Sequence, residues 1–237
     1  MAIKRRRSKF LVMLAAGVVA VLAFGLWFVV LRDDAPPPAA LAHRTIEPAA
    51  EASARDLGGT WTVAPGPDVW AGYRITEHVG VVDNVAVART GHVTGELTVR
   101  GTHISEVTAE VAMDTLVSKD TELPGVGHRA DAMRTKGLET DRYPNASFTL
   151  AKPIDLGKLP NAGTAIEARA VGTLDLHGVE RQVTIPIEAR WNGGKVIDVT
   201  GSLQVRLADF GIDPPDPKVV TVAGTGTLEL QLTFTRR

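Results

Sequence analysis

An all-β domain behind one N-terminal membrane helix is the architecture this sequence predicts, and three observations predict it. Apolar and polar residues alternate over several runs between residues 107 and 235. A charge-free apolar run, FLVMLAAGVVAVLAFGLWFVVL, fills Phe10–Leu31. A proline- and alanine-rich stretch separates the two.

The apolar run has the length of a membrane span, since about 20 residues at ~1.5 Å each cross the hydrocarbon core. Lys4, Arg5, Arg6, Arg7 and Lys9 precede it with no acid among them, and Trp27 and Phe28 lie near its far end. Cations stay on the cytoplasmic side and aromatics favour the interface. The expected layout is therefore a basic cytoplasmic segment over 1–9, a transmembrane helix over 10–31 and everything beyond outside. The competing reading, a cleaved signal peptide, calls for a shorter apolar region of ~7–15 residues with a small-residue site close behind it. Ala40-Leu41-Ala42 lies far past the run. On either reading the remainder is exported, to the outer side of a cytoplasmic membrane or beyond it.

Residues 32–57 contain Pro36, Pro37, Pro38 and Pro48 and few large apolar side chains. Such a segment buries too little surface to offset its ordering entropy, so a partly extended spacer is expected. The remaining span, 58–237, is the β domain.

Composition narrows the function. From Gly58 onward there are 18 Lys and Arg against 22 Asp and Glu, a poor balance for gripping phosphate backbones. The chain has no cysteine, which excludes thiol nucleophiles, thiolate metal sites and disulfides. The histidines fall in no HxH, HxxxH or HExxH spacing, there is no G-x-S-x-G elbow, and no phosphate-cradling glycine loop precedes a helix. No catalytic residue, metal or cofactor is expected from motifs of these kinds.

The β runs follow in order. Weaker runs cover 60–65, 69–79, 85–99 and 146–151. Val107, Ala109, Val111 and Met113 share one phase, as do Ile166, Ala168, Ala170, Gly172, Leu174 and Leu176. Val183, Ile185, Ile187, Ala189 and Trp191 form another set, then Ile197 to Leu207, then Leu228, Leu230, Leu232 and Phe234. One dry and one wet face mark antiparallel strands. Turn residues join them at Arg100-Gly101-Thr102, His177-Gly178-Val179 and Asn192-Gly193. Pro186 predicts an edge strand or a bulge. The alternation lapses over Leu116–Asp141, where a loop and a short helix near Ala130–Lys136 are expected. About eight strands result, and the residue supply leaves a sandwich or a closed barrel.

Three stretches carry a family resemblance that covers about Thr60 to Phe234. They are Leu138-Glu139-Thr140-Asp141-Arg142-Tyr143-Pro144-Asn145-Ala146-Ser147-Phe148, then Gly172-Thr173-Leu174-Asp175-Leu176-His177-Gly178-Val179 with Val183-Thr184-Ile185-Pro186 after it, and Ala208-Asp209-Phe210-Gly211-Ile212. In order and spacing they resemble the YceI-like, lipid-binding, lipocalin-like domains. The resemblance implies an eight-stranded antiparallel lipocalin-like barrel with a short helix, enclosing an elongated apolar cavity that holds a polyisoprenoid or similar lipid.

Under that reading the cavity candidates are Tyr73, Ile75, Val111, Met113, Phe148, Leu174, Ile185, Leu203, Phe210 and Leu230. Tyr73 shares a strand face with Ala71 and Ile75, whereas Trp70 points the other way. His177 is expected to be a turn residue on the wet side. The expected function is a membrane-tethered extracytoplasmic carrier of a long-chain apolar ligand, a polyisoprenoid or a quinone-like lipid. Its partners are that lipid and the membrane through Phe10–Leu31, with no nucleic acid and no identified protein. Two rivals stand beside it. A lipid-modifying enzyme would need titratable side chains pointing inward. An extracellular β domain with a solid core that binds proteins would need an apolar patch outside.

Overall fold

The alternating runs curl into a single closed sheet in a computed structural model of the chain, which describes residues 17, 19, 35–42, 57–79, 82–119, 129–215 and 220–236. The expected membrane helix lies outside these residues apart from Gly17 and Val19, both helical, and so do segment 1–9 and residues 43–56. No helix among the described residues is long and apolar enough to cross a membrane.

Twelve strands, β1 (Gly59–Val63), β2 (Trp70–Val79), β3 (Val82–Thr90), β4 (Val93–Arg100), β5 (His103–Ala112), β6 (Val117–Ser118), β7 (Asn145–Leu150), β8 (Ile154–Asp155), β9 (Ala165–Leu176), β10 (Val179–Trp191), β11 (Val196–Arg206) and β12 (Val220–Thr235), make eight staves. β1 and β2 form the first stave, because both pair with β12, at Thr62↔Thr235 and Trp70↔Gln231. β3 and β4 form the second and pair with β2 and β1 respectively. β5 continues through a 3-10 turn at Met113–Thr115 into β6, and β7 into β8, with β5 pairing both β7 and β8. β9 to β12 are unbroken. Neighbouring staves are antiparallel and consecutive, and β12 returns to the first stave to close the barrel. Closure gives every stave a neighbour on both sides, and it settles the choice between sandwich and barrel.

Several expectations change in detail. The run 85–99 is two strands, broken at Gly91-His92, because β1 and β2 are themselves broken at 64–69 and each partner follows its own half. The last strand starts at Val220, before Leu228; a bulge between Val222 and Gly226 adds two residues to β12, which keeps the phase, but the glycines at 224 and 226 leave no apolar side chain to mark it. The expected helix is a short α turn, α1 (Arg129–Ala132), running into a π turn at Met133–Gly137. Asn192-Gly193 opens a four-residue connection, with Gly193 at φ 80° and Gly194 at φ 64°, in place of a two-residue one. His177 and Gly178, at φ 57° and 70°, do make the tight turn between β9 and β10. Pro186 lies on an interior strand, flanked by β9 and β11.

Residues 35–42, expected as part of a spacer, lie against the outer wall. Arg74 and Arg89 donate to the carbonyls of Pro36 (2.5 Å) and Pro37 (2.6 Å), and Arg190 donates to that of Ala42. These arginines stand on β2, β3 and β10, so the segment straps the barrel across β12 and β11. A proline has no N–H to satisfy and presets an extended backbone that makes no internal hydrogen bonds, so its carbonyls are available to accept from the wall.

One glycine sets the interior width. A Cβ on Gly172 would stand 2.4 Å from both Phe148 Cζ and the Thr149 carbonyl. Gly172→Ala is expected to destabilise the barrel by about 2 kcal/mol, as overpacking does, measured by urea unfolding.

Candidate functional site

Inward side chains come from the apolar phase of every stave, and they close both ends while leaving the middle open. One end is sealed by Trp61, Trp191, Phe234 and Leu57, all nearly inaccessible. Each indole there is fixed by a hydrogen bond, Trp61 Nε1 to the Leu57 carbonyl (2.9 Å) and Trp191 Nε1 to that of Gly194 (3.1 Å). The opposite end is sealed by Leu116, Met133, Leu138, Phe210 and Ile212.

The second plug is where the three sequence stretches meet. His177 Nδ1 lies 3.1 Å from the Phe210 carbonyl and Nε2 lies 3.0 Å from the Glu139 carboxylate. The Tyr143 ring packs at 4.4 Å between centroids. The His177 side chain is only 8% exposed, so it is a turn residue turned inward onto its neighbours and not a wet one. A short helix, a hairpin tip and a 3-10 turn at Leu207–Phe210 are tied together through this ring.

Between the plugs, inward residues such as Ala109, Val111, Phe148, Leu203, Leu228 and Leu230 are only partly covered, although they face away from bulk water. Their free surface borders two chambers of about 130 and 120 Å³. The first chamber, beside α1, is lined by Tyr73, Ile75, Val111, Met113, Phe148, Leu174, Ile185, Leu203 and Leu230, among others. The second, toward the two tryptophans, is lined by residues such as Leu97, Val107, Trp191, Val199 and Phe234. Ala109, Phe148, Ile185 and Leu230 belong to both, so the chambers meet at this waist.

Nine of the ten candidate residues therefore border the first chamber. Phe210 does not; it packs into the plug below it, because the 3-10 turn takes it out of the strand phase. The second chamber went unmarked, although Val199, Leu232 and Phe234 sit on the same inward phase and could have revealed it. Met133 and Leu138 had no periodic signal and reach the chamber only through the loop between β6 and β7.

The walls offer almost no polarity. Ser147, Ser202 and Glu229 border the first chamber, but the alternation turns their side chains outward. Glu229 instead meets Arg74 Nε (3.3 Å) and Arg89 Nη2 (3.4 Å) outside, where Arg89 also stacks 3.6 Å over the Trp70 ring. Burial lowers the Arg89 pKa from its usual value, and Glu229 opposes that shift. Among the described residues no cluster of His, Asp and Glu could hold a metal. What this interior can do is take up an elongated apolar chain and keep it from water.

Comparison with known proteins places these features. The profile of the YceI-like domain matches residues 69–234. A polyisoprenoid binding domain from Saccharophagus degradans, implicated in plant cell wall breakdown, shares the fold at 17% identity, with a TM-score of 0.57, over 76% of this chain and 99% of that one. BcnA from Burkholderia cenocepacia does so at 15% identity, with a TM-score of 0.50, over 69% of this chain and 95% of that one. No curated protein sequence matches.

Proposed function

The chain belongs to the YceI-like family, and from that premise we propose that it is a binding protein for a long-chain apolar ligand, a polyisoprenoid or a quinone-like lipid. The observation that carries this reading is the pair of joined chambers, walled by aliphatic and aromatic side chains and stoppered at both ends. The S. degradans relative, described as a polyisoprenoid binding domain, supports the ligand class.

The energetics suit a carrier. Each buried CH₂ contributes ~0.8 kcal/mol, so one isoprene unit supplies about 3–4 kcal/mol. Association costs roughly 4–15 kcal/mol, and a few units therefore reach useful affinity with no strong polar contact. An enzyme acting on the same lipid would need a proton donor or acceptor at the chain. Tyr73 is the one ionisable side chain that the alternation points into the chambers among the described residues.

The proposed location is the outer side of a cytoplasmic membrane, with Phe10–Leu31 as an uncleaved anchor. Pro36 and Pro37, five and six residues past the proposed anchor, are held against the barrel wall by Arg74 and Arg89, and this supports a barrel held close to the lipid surface.

Native mass spectrometry of the full chain in detergent, followed by lipid extraction, tests the reading. A stoichiometric co-purifying isoprenoid or quinone is expected. A clean apo mass that stays unchanged after incubation with polyprenyl lipids would count decisively against it.

A further inference from the structure

A ligand sealed between two plugs needs a way in, and the wall between β10 and β11 is built to supply one. Their ladder runs from Trp191↔Ile197 only as far as Ile187↔Gly201. Beyond it, Gln182–Ile185 and Leu203–Arg206 face each other with no backbone pairing. Each strand stays fully paired on its other side. The β9–β10 ladder continues to Val179↔Leu176, and the β11–β12 ladder to Arg206↔Thr225. The gap is thus a seam in one wall and not a frayed strand end.

Pro186 explains where the seam starts. The β9–β10 ladder passes unbroken through Pro186↔Arg169. A proline nitrogen has no hydrogen to give, so that ladder survives only if the Pro186 nitrogen points away from β9, toward β11. The next bond to β11 would need that missing donor, and the ladder stops there.

The seam leads somewhere. A cleft of about 390 Å³ lies outside it, lined by Val183, Thr184, Leu203 and Val205 among others. Leu203 and Val205 also line the first chamber, so the same two side chains separate cleft from cavity. Val183 and Leu203 are partly uncovered there. The lower corner is closed by exposed polar contacts: Arg181 Nε donates to the Asp209 carbonyl (3.0 Å), and Arg206 Nε to the Asp209 carboxylate (3.0 Å). Exposed ion pairs hold weakly and open easily.

Resting on the carrier reading above, we propose that this seam is a lateral portal through which an apolar chain enters and leaves the first chamber. A second cleft, between β8 and β9 at Ile154–Leu156 and Ile166–Arg169, borders the other chamber and serves as the internal comparison.

The chain has no native cysteine, which makes stapling clean. Full-length Thr184→Cys/Gln204→Cys protein would be bridged by a short, reducible thiol cross-linker. Uptake and release of a fluorescent geranylgeraniol analogue would then be timed. Both are expected to slow at least about tenfold and to recover on reduction, as a closed gate requires. Stapling Thr173→Cys/Gln182→Cys, across the paired β9–β10 ladder, should change neither. Pro186→Val returns the missing donor and should slow exchange without any reagent. Unchanged kinetics in both the stapled and the Pro186→Val proteins would overturn the portal. Slowing only when Asp155→Cys/Glu167→Cys bridges the other cleft would overturn it as well. Failure of the native chain to take up the probe at all would instead sink the carrier reading, and the portal with it.

Discussion

Ala109→Trp is expected to abolish tight binding of a long apolar chain while the barrel stays folded. Ala109 stands at the waist with Phe148, Ile185 and Leu230, where the two chambers meet. An indole there divides the cavity and confines any ligand to one side. Losing even four or five buried methylenes removes about 3–4 kcal/mol, or two to three orders of magnitude in affinity. Titration with a fluorescent polyprenyl probe reads this directly. The melting temperature provides the second readout. In a hollow barrel the indole fills empty space and leaves stability unchanged or raised. In a solid core the same change would overpack and cost about 1–3 kcal/mol. Retained affinity together with a lower melting temperature would place the ligand elsewhere and the core as solid.

Glu229→Ala is expected to destabilise the protein by about 3 kcal/mol in urea unfolding. The Glu229 side chain is 3% exposed and faces Arg74 and Arg89, themselves 19% and 12% exposed. Removing one partner of a buried ion cluster leaves uncompensated charge, which costs ~3–5 kcal/mol; the partial exposure of the arginines argues for the lower end. The same arginines hold the carbonyls of Pro36 and Pro37. The strap should therefore loosen with the cluster, and proteolysis within residues 35–42 should accelerate. Replacing Arg89 by Leu in the Glu229→Ala background should recover part of the stability, because it removes one of the stranded charges. Loss of stability without faster cleavage of the strap would show that the two are not coupled.

Much of the site was legible one strand at a time. Leu174, Ile185, Leu203 and Leu230 could be placed on the cavity wall because a period of two has only two faces, and a dry face must turn inward. Tyr73 was separable from Trp70 on the same argument, and Trp70 does stand outside against Arg89. The argument failed where the backbone left the strand phase. Phe210 sits on a 3-10 turn and Met133 and Leu138 on a loop with a π turn, so alternation had nothing to say about them.

The identity and phase of the strands, the aliphatic character of their inner faces and the absence of thiol chemistry are properties of residue order alone, since each follows from local geometry or composition. Closure of the barrel, its two plugs, its waist and its seam depend on the tertiary structure. Thr62↔Thr235 and Trp70↔Gln231 join the first and last strands of the barrel, and nothing within either strand specifies that partner. The strap depends on three arginines from β2, β3 and β10 that only the closed sheet aligns in a row. Pro186 illustrates the difference: its missing donor is written in the sequence, but only the neighbouring strand it faces decides whether that makes an edge, a bulge or a door.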